Sequence, residues 1–440
     1  MLAENSSCPV APDSIEGLLS LDDWSLDHQA EILSQLRRAG PIVWIPQLES
    51  FAVTEFKEVA EALNDTERFS SELGNPRGPH ALTLMQSASR ALADNREAQA
   101  LLGRLVPDWR AEASLLGLDP PRHSTHRRVV NRLFTPRNVA SIRPRADEIA
   151  NILIDQFVGE DIVDLSAQFA VQLPLRIIAE QLGIGVDRLG DFKRWSDDFV
   201  APLGNNRLGE IEMLSILRTL VEFGDHFRPA LEERRVRPQA DFLTILAEAT
   251  DDAYSISDEQ RLGIIASMLG AGNETSTKML STGCAILAER ADLAELLIEQ
   301  PDLISKFVDE ILRLYSPVQG LFRVARHDTE LGGVQIPGGA WVWMLFSSAN
   351  RSESEFSSPH EIDLNRPNGS AHLAFGKGAH YCVGGALARM EGDVGFAALL
   401  SRVYPWSVVS KERDPSYVLH GYRKLVVSIP GRVSDSHGRE

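Results

Sequence analysis

The chain has 440 residues, 43% of them hydrophobic, and a formal net charge of -18. That apolar content supplies a sizeable interior and excludes a disordered polymer, while the acidic balance excludes nonspecific nucleic-acid binding, which needs a basic excess. Its three cysteines, Cys8, Cys284 and Cys382, are too widely spaced for a disulfide framework or a zinc site, an economy that fits a reducing compartment.

In chain order, residues 1–25 read as a loose N-terminal arm ahead of a single domain over 26–440. The first basic residue is Arg37, and no uninterrupted apolar run follows it, so a secretory leader is not expected. No window of about 20 apolar residues occurs elsewhere, which predicts no membrane span and a cytoplasmic protein. Residues 41–54 carry two short apolar runs split by polar residues, a hairpin pattern, and 55–64 reads as a short helix. The stretch 67–120 is long and irregular, punctuated by Gly74, Pro76, Gly78 and Pro79, with helical pieces inside it; loops of this length in compact proteins are usually functional.

From about 124 to 299 the pattern is mostly helical. Ser257 with Gln260 forms a capping box. Leu262, Ile264, Ile265, Met268 and Leu269 then cover nearly every face of a helix that runs to about 289 and should therefore be buried. Inside it stand Gly270, Ala271, Gly272, Asn273, Glu274 and Thr275. A mid-helix glycine costs about 1 kcal/mol relative to alanine, and an acid in an apolar helix needs a partner. Such local violations tend to mark function. Further on, Glu310 and Arg313 share a helix face among Phe307, Ile311 and Leu314, which favours a buried network over an exposed ion pair. Residues 331–346 change to short strands around Gly332 and Gly333. The fold class predicted is mainly α with a smaller β-rich portion.

Cys382 follows a glycine-rich loop and precedes a good helix start at Gly385. Unpaired amides and the helix dipole at that end stabilise an anionic sulfur. Gly376 and Gly378 let the loop turn tightly, and Phe375 can cover the sulfur from water. A lone cysteine is usually just a small buried hydrophobe. Here Phe375, Gly376, Gly378, His380, Cys382 and Gly384 stand together in fixed order, which is far more specific.

This segment resembles the haem-binding loop of the cytochrome P-450 superfamily, and the resemblance extends in register from about 41 to 430. It implies a single-domain fold enclosing haem b (iron protoporphyrin IX) between the long central helix and the cysteine loop. Cys382 would be the axial ligand, with Phe375, Gly376 and Gly384 shaping its loop; a thiolate there pushes electron density toward bound oxygen. Glu310 and Arg313 resemble the family's E-x-x-R pair, which Arg366 would join. Ala271 would lie on the oxygen side of the haem, and Thr275 and Glu274 would be catalytic, delivering protons for oxygen activation. Asp is the more frequent acid where Glu274 stands. His123, Arg127, Arg323 and His380 match the family's propionate partners. Ala349, Asn350 and Arg351 fit as well, with Ser352 replacing the usual acid, a change expected to weaken a local turn.

The implied function is a monooxygenase that inserts one atom of O2 into a lipophilic small molecule. A chain of this length leaves no room for a flavin or iron–sulfur domain, so electrons are expected from ferredoxin and a ferredoxin reductase. Arg128 and Arg132, four apart on one helix, and Lys377 form a candidate docking patch. The substrate roof should draw on 82–106, 199–203, Met268, Ala271, 318–321 and 419–422. The alternatives are a peroxide-driven haem-thiolate peroxygenase, disfavoured by the Glu274 and Thr275 pair, and a non-catalytic haem-binding sensor, which would need neither residue.

Overall fold

The computed structural model describes residues 8–20, 28–72, 92–105, 115–204, 208–249 and 256–430. The chain enters through α1 (Ile15–Ser20) and α2 (Gln29–Ala39) and forms the expected hairpin from β1 (Ile42–Ile45) and β2 (Ser50–Val53). Successive strand side chains point to opposite faces. Ile42, Trp44, Phe51 and Val53 join the core under α3 (Phe56–Asn64), while Val43, Ile45 and Ala52 meet Ile15, Leu19, Ile32, Leu33 and Leu36 of α1 and α2. Both faces are therefore apolar because both are covered. This corrects the expected loose arm: over 8–20 the chain is docked, with Val10 bridging to Trp44 and Ile15 buried. Residues 1–7 and 21–25 of that arm lie outside the described residues.

The hairpin is one edge of a sheet completed by β3 (Phe69–Ser70), β5 (Gly320–Ala325) and β8 (Trp341–Leu345), in the order β1-β2-β8-β5-β3. β2 runs parallel to β8, with Ser50 opposite Trp341 and Val53 opposite Met344. A second sheet joins β4 (Ile162–Asp164), β10 (Tyr422–Ser428) and β9 (Ser407–Arg413), and β6 (Thr329–Leu331) pairs with β7 (Val334–Ile336).

The rest is largely helical. Within 67–120 the structure describes α4 (Arg96–Arg104), whose Asn95 cap accepts the Ala98 amide at 3.0 Å. Then come α5 (Arg122–Asn131), α6 (Pro136–Asp155), α7 (Gln172–Gln181), α8 (Leu189–Val200), α9 (Glu210–Val236) and α10 (Phe242–Ala247). The central helix α11 (Asp258–Glu289) opens as predicted: the Ser257 hydroxyl accepts from the Gln260 amide at 3.2 Å, and the Gln260 side chain accepts from the Ser257 amide at 2.9 Å. It is followed by α12 (Ala291–Glu299), α13 (Ile304–Tyr315), α14 (Phe346–Ala349) and α15 (Gly385–Arg402), and it packs against α7, α8, α13 and α15. Among the described residues, no helix is long and apolar enough to cross a membrane.

α13 is locked to the segment before the cysteine loop. The Arg313 guanidinium donates to both Glu310 oxygens at 2.7 and 2.9 Å, and Arg366 Nε reaches Glu310 Oε1 at 3.1 Å. Arg313 also donates to the carbonyls of Asn350, Pro359 and Glu361. All three charged side chains are buried, as the apolar setting of the pair predicted. The turn at Ser352 is hydrogen-bonded. Its carbonyl accepts from Phe356 at 2.9 Å, and its hydroxyl donates to Glu55 and lies 2.8 Å from that of Ser354.

Candidate active site

The cysteine loop turns back through Gly376 (φ 66°) and Gly378 (φ 70°). A Cβ on Gly378 would come 2.6 Å from the Leu63 carbonyl, so the close approach to α3 and the positive φ both require glycine there. The Cys382 amide donates to the Phe375 carbonyl at 2.8 Å and closes the loop. Cys382 lies just before Gly384, which caps α15. Burial pushes its thiol up, opposed by the Gly384 amide, the Arg127 and Arg389 guanidiniums and the Gly385 amide. Phe375 is buried beside it, with the Arg389 guanidinium 4.6 Å over its ring and Asp309 holding Arg389 at 2.8 Å.

α5 borders this loop. The rings of His123 and His380 lie 4.1 Å apart, and Val383 packs on the cluster containing Val129 and Val130. Among the described residues, neither ring nitrogen of His123 has a hydrogen-bond partner, although both are buried. Burial, then Arg127, pulls its pKa down to about 4, and burial, then Arg323, pulls His380 down to about 3. Arg323 on β5 is 5% exposed, and its guanidinium donates to the Phe322 carbonyl at 2.8 Å. Among the described residues no carboxylate pairs with it, because Asp119 is taken by Ser70, the Ser71 amide and Arg326. Arg127 is half-buried and donates from Nε to Asn131 at 2.9 Å. Orphaned imidazole nitrogens beside a buried, unneutralised guanidinium are a setting for a ligand bearing carboxylates. With the thiol at a helix start, this donor set fits the haem expected from the resemblance.

α11 is buried almost all round from 260 to 287, apart from Ser267, Ala271, Gly272 and Thr275. Three of these are four residues apart and form one open stripe. Thr275 Oγ1 donates to the Ala271 carbonyl at 2.7 Å. Gly270 has a packing reason as well, since a Cβ there would lie 3.2 Å from Val200 of α8, whereas a Cβ on Gly272 would make only an ordinary contact, 3.7 Å from Ile178.

Glu274 was expected to act with Thr275, yet the structure does not bring their side chains together. Adjacent helical residues diverge by about 100°, and Glu274 lies on the buried side. Its carboxylate is 2.9 Å from Lys278 and 3.5 Å from Lys193 of α8, and Asn273 donates to it at 3.3 Å. Burial works to raise its pKa, but the ammoniums of Lys278 and Lys193 outweigh that and hold it well below the usual carboxylate range. Lys193 also pairs with Asp197, whose pKa burial raises to about 6 against the pull of Lys193.

Sequence reasoning missed this cluster, and it missed Glu391. That acid is buried on α15, 2.5 Å from the Ser276 hydroxyl, and burial pushes it up to about 8. The signal available for Lys278 was a charged residue four positions after Glu274 in an apolar helix. Of the expected roof, Phe199 and Met268 are buried, and Val318 bridges to Leu419, which brings 318–321 and 419–422 together. Residues 82–91 and 106 lie outside the described residues. Arg128, Arg132 and Lys377 are exposed.

Residues 218–429 match the family model described as Cytochrome P450. The chain is 32% identical over 407 residues to Cytochrome P450 109 of Bacillus spizizenii, covering 90% of this chain and 91% of that protein. It is also 32% identical to the 6-deoxyerythronolide B hydroxylase of Saccharopolyspora erythraea, over 71% of this chain and 77% of that one. Among solved structures it is similar to cytochrome P450 CYP109Q5 from Chondromyces apiculatus, with a TM-score of 0.78 and 31% identity over 93% of this chain and 97% of that one.

Proposed function

Since this chain belongs to the cytochrome P450 family and is an oxidoreductase of monooxygenase type, we propose that it hydroxylates a lipophilic small molecule with one atom of O2. Its cofactor would be haem b, held through Cys382. The observation that carries this reading is the thiol at the start of α15, bordered by the buried His123 ring and by Arg323, which among the described residues no carboxylate neutralises. His123, Arg127, Arg323 and His380 would hold the two propionates. Haem bound there supplies the iron at which dioxygen is activated. The chain's own part is to oppose the desolvation of the sulfur with the amides of Gly384 and Gly385, to cover it with Phe375, and to hold Thr275 Oγ1 on the open stripe of α11, where its proton would have to leave the Ala271 carbonyl to be used. The apolar roof residues Phe199, Met268 and Leu419 support a lipophilic substrate.

The deciding experiment is Thr275→Ala. The variant should bind haem and substrate normally, yet product formed per reductant consumed should fall roughly 10- to 100-fold, with the difference released as hydrogen peroxide. Full coupling in the variant would remove Thr275 from oxygen activation. Product made by the wild type with peroxide alone, and not with an electron supply, would favour the peroxygenase reading instead.

Electrons would come from a ferredoxin and its reductase in the cytoplasm. Exposed Arg128 and Arg132 on a chain of net charge -18 are a local basic patch, suited to steering an acidic carrier. Arg128→Glu or Arg132→Glu should slow reduction by ferredoxin about tenfold at low ionic strength and flatten its salt dependence, leaving substrate binding intact. Stopped-flow reduction across a salt series reads this; rates equal to wild type at low salt would exclude the patch.

A further inference from the structure

α11 carries a lysine on its buried side. Lys278 is 3% exposed, and a lone ammonium so placed is strongly unfavourable. It is not alone. Nζ lies 2.9 Å from Glu274 one turn earlier and pairs with Asp414 in the hairpin between β9 and β10. Glu preceding Lys by four positions is the favourable order on a helix. The hairpin presses directly on the lysine: a Cβ on Gly421 would come 2.5 Å from Lys278 Cβ. On the other side Glu274 meets Lys193, which pairs with Asp197 on α8. Three carboxylates and two ammoniums thus form one cluster joining α11, α8 and the C-terminal hairpin.

We propose that Lys278 is a positioning residue that holds Glu274 as a carboxylate and, through Asp414, ties it to that hairpin. The charged groups facing Glu274 are Lys278 from its own helix, Lys193 and Asp197 from α8, and Asp414 beyond Lys278. Take Lys278 away, and Glu274 must share the ammonium of Lys193 with Asp197, while Asp414 loses its partner. Burial and like-charge repulsion then favour protonation of Glu274. With Lys278 in place, Glu274 stays ionised through the neutral range and does not itself titrate there. Any part Glu274 plays in proton delivery rests on the function proposed above; the effect of Lys278 on its ionisation does not.

The test is an infrared pH titration of the haem-loaded protein, following the C=O stretch of protonated carboxyl groups. Lys278→Gln minus Lys278→Gln/Glu274→Gln should show one such band, with a midpoint between about 5 and 9. Wild type minus Glu274→Gln should show none over that range, and neither should Lys278→Arg minus Lys278→Arg/Glu274→Gln, because arginine restores the charge. Subtraction against the Glu274→Gln background removes Glu391. Asp197 is coupled to Glu274 and does not cancel, so each pair is also measured with Asp197→Asn, and only a band present in both series is assigned to Glu274. Should Lys278→Gln fail to fold, Lys278→Gln/Asp414→Asn removes one charge of each sign and carries the same expectation. Absence of the band from the Lys278→Gln difference overturns the proposal. Its appearance supports the proposal, and product per reductant measured on the same sample then tests the relay separately. A yield that titrates with the band supports the relay role of Glu274, whereas a flat yield removes that role and leaves Lys278 as proposed.

Discussion

Cys382→Ser, reduced and exposed to carbon monoxide, loses the strongly red-shifted Soret band of thiolate-ligated haem, whereas Cys284→Ser keeps it. The contrast follows from where the two sulfurs sit. Cys284 is fully buried, and burial pushes its thiol up to about 12; its carbonyl, not its sulfur, accepts the Trp406 indole N–H at 3.0 Å. It is a small core hydrophobe. Cys382 has two amides and two guanidiniums acting against its desolvation, at the positive end of α15. A serine hydroxyl there is a far weaker acid than a thiol and a poor ligand. Ultraviolet–visible spectra of the two variants decide the matter, and an unchanged band in Cys382→Ser would sink the assignment.

Glu310→Ala should be the most destabilising single change in the α13 network. It leaves the guanidiniums of Arg313 and Arg366, 0% and 1% exposed at the side chain, without their shared counter-ion. Removing one partner of a buried ion pair costs about 3–5 kcal/mol, whereas an exposed pair is worth roughly 0–1 kcal/mol. The Asp363 amide also loses its acceptor, Glu310 Oε2 at 2.9 Å. Since Arg313 and Arg366 hold the carbonyls of residues leading into the cysteine loop, retention of haem should fall together with stability. Urea unfolding followed by far-ultraviolet circular dichroism and by the Soret band measures both. A loss below about 1 kcal/mol would show that the network is no stronger than a surface contact.

What could be read from the sequence was mostly local. The capping box of Ser257 and Gln260, the 42–53 hairpin, and the shared face of Glu310 and Arg313 each involve residues within a few positions of one another. Short-range geometry alone settles such features. The cysteine loop was legible because several unusual residues must coexist within ten positions. The charge cluster around Lys278 was not, since Asp414 and Lys193 reach it from distant elements, and no periodicity announces which surface charge will be folded inward. Glu391 escaped for the same reason: its only sign is a hydroxyl partner on another helix, at Ser276. The N-terminal arm misled because its polar composition hides Ile15 and Leu19, which are buried only because the sheet lies beneath them.

The parallel pairing of β2 with β8 also orders events during synthesis. When the hairpin leaves the ribosome, its β2 edge has an unpaired row of amides and carbonyls, and both of its faces lack part of their cover. The strand that completes that edge begins roughly 290 residues later, which at about 5–20 residues per second is on the order of 15–60 seconds of translation. Until then the nascent chain carries an exposed apolar edge of the kind that other chains can pair with. α1 and α2, made before the hairpin, can cover one of its faces but not its β2 edge, so a polypeptide arranged this way needs that edge shielded while it is being made.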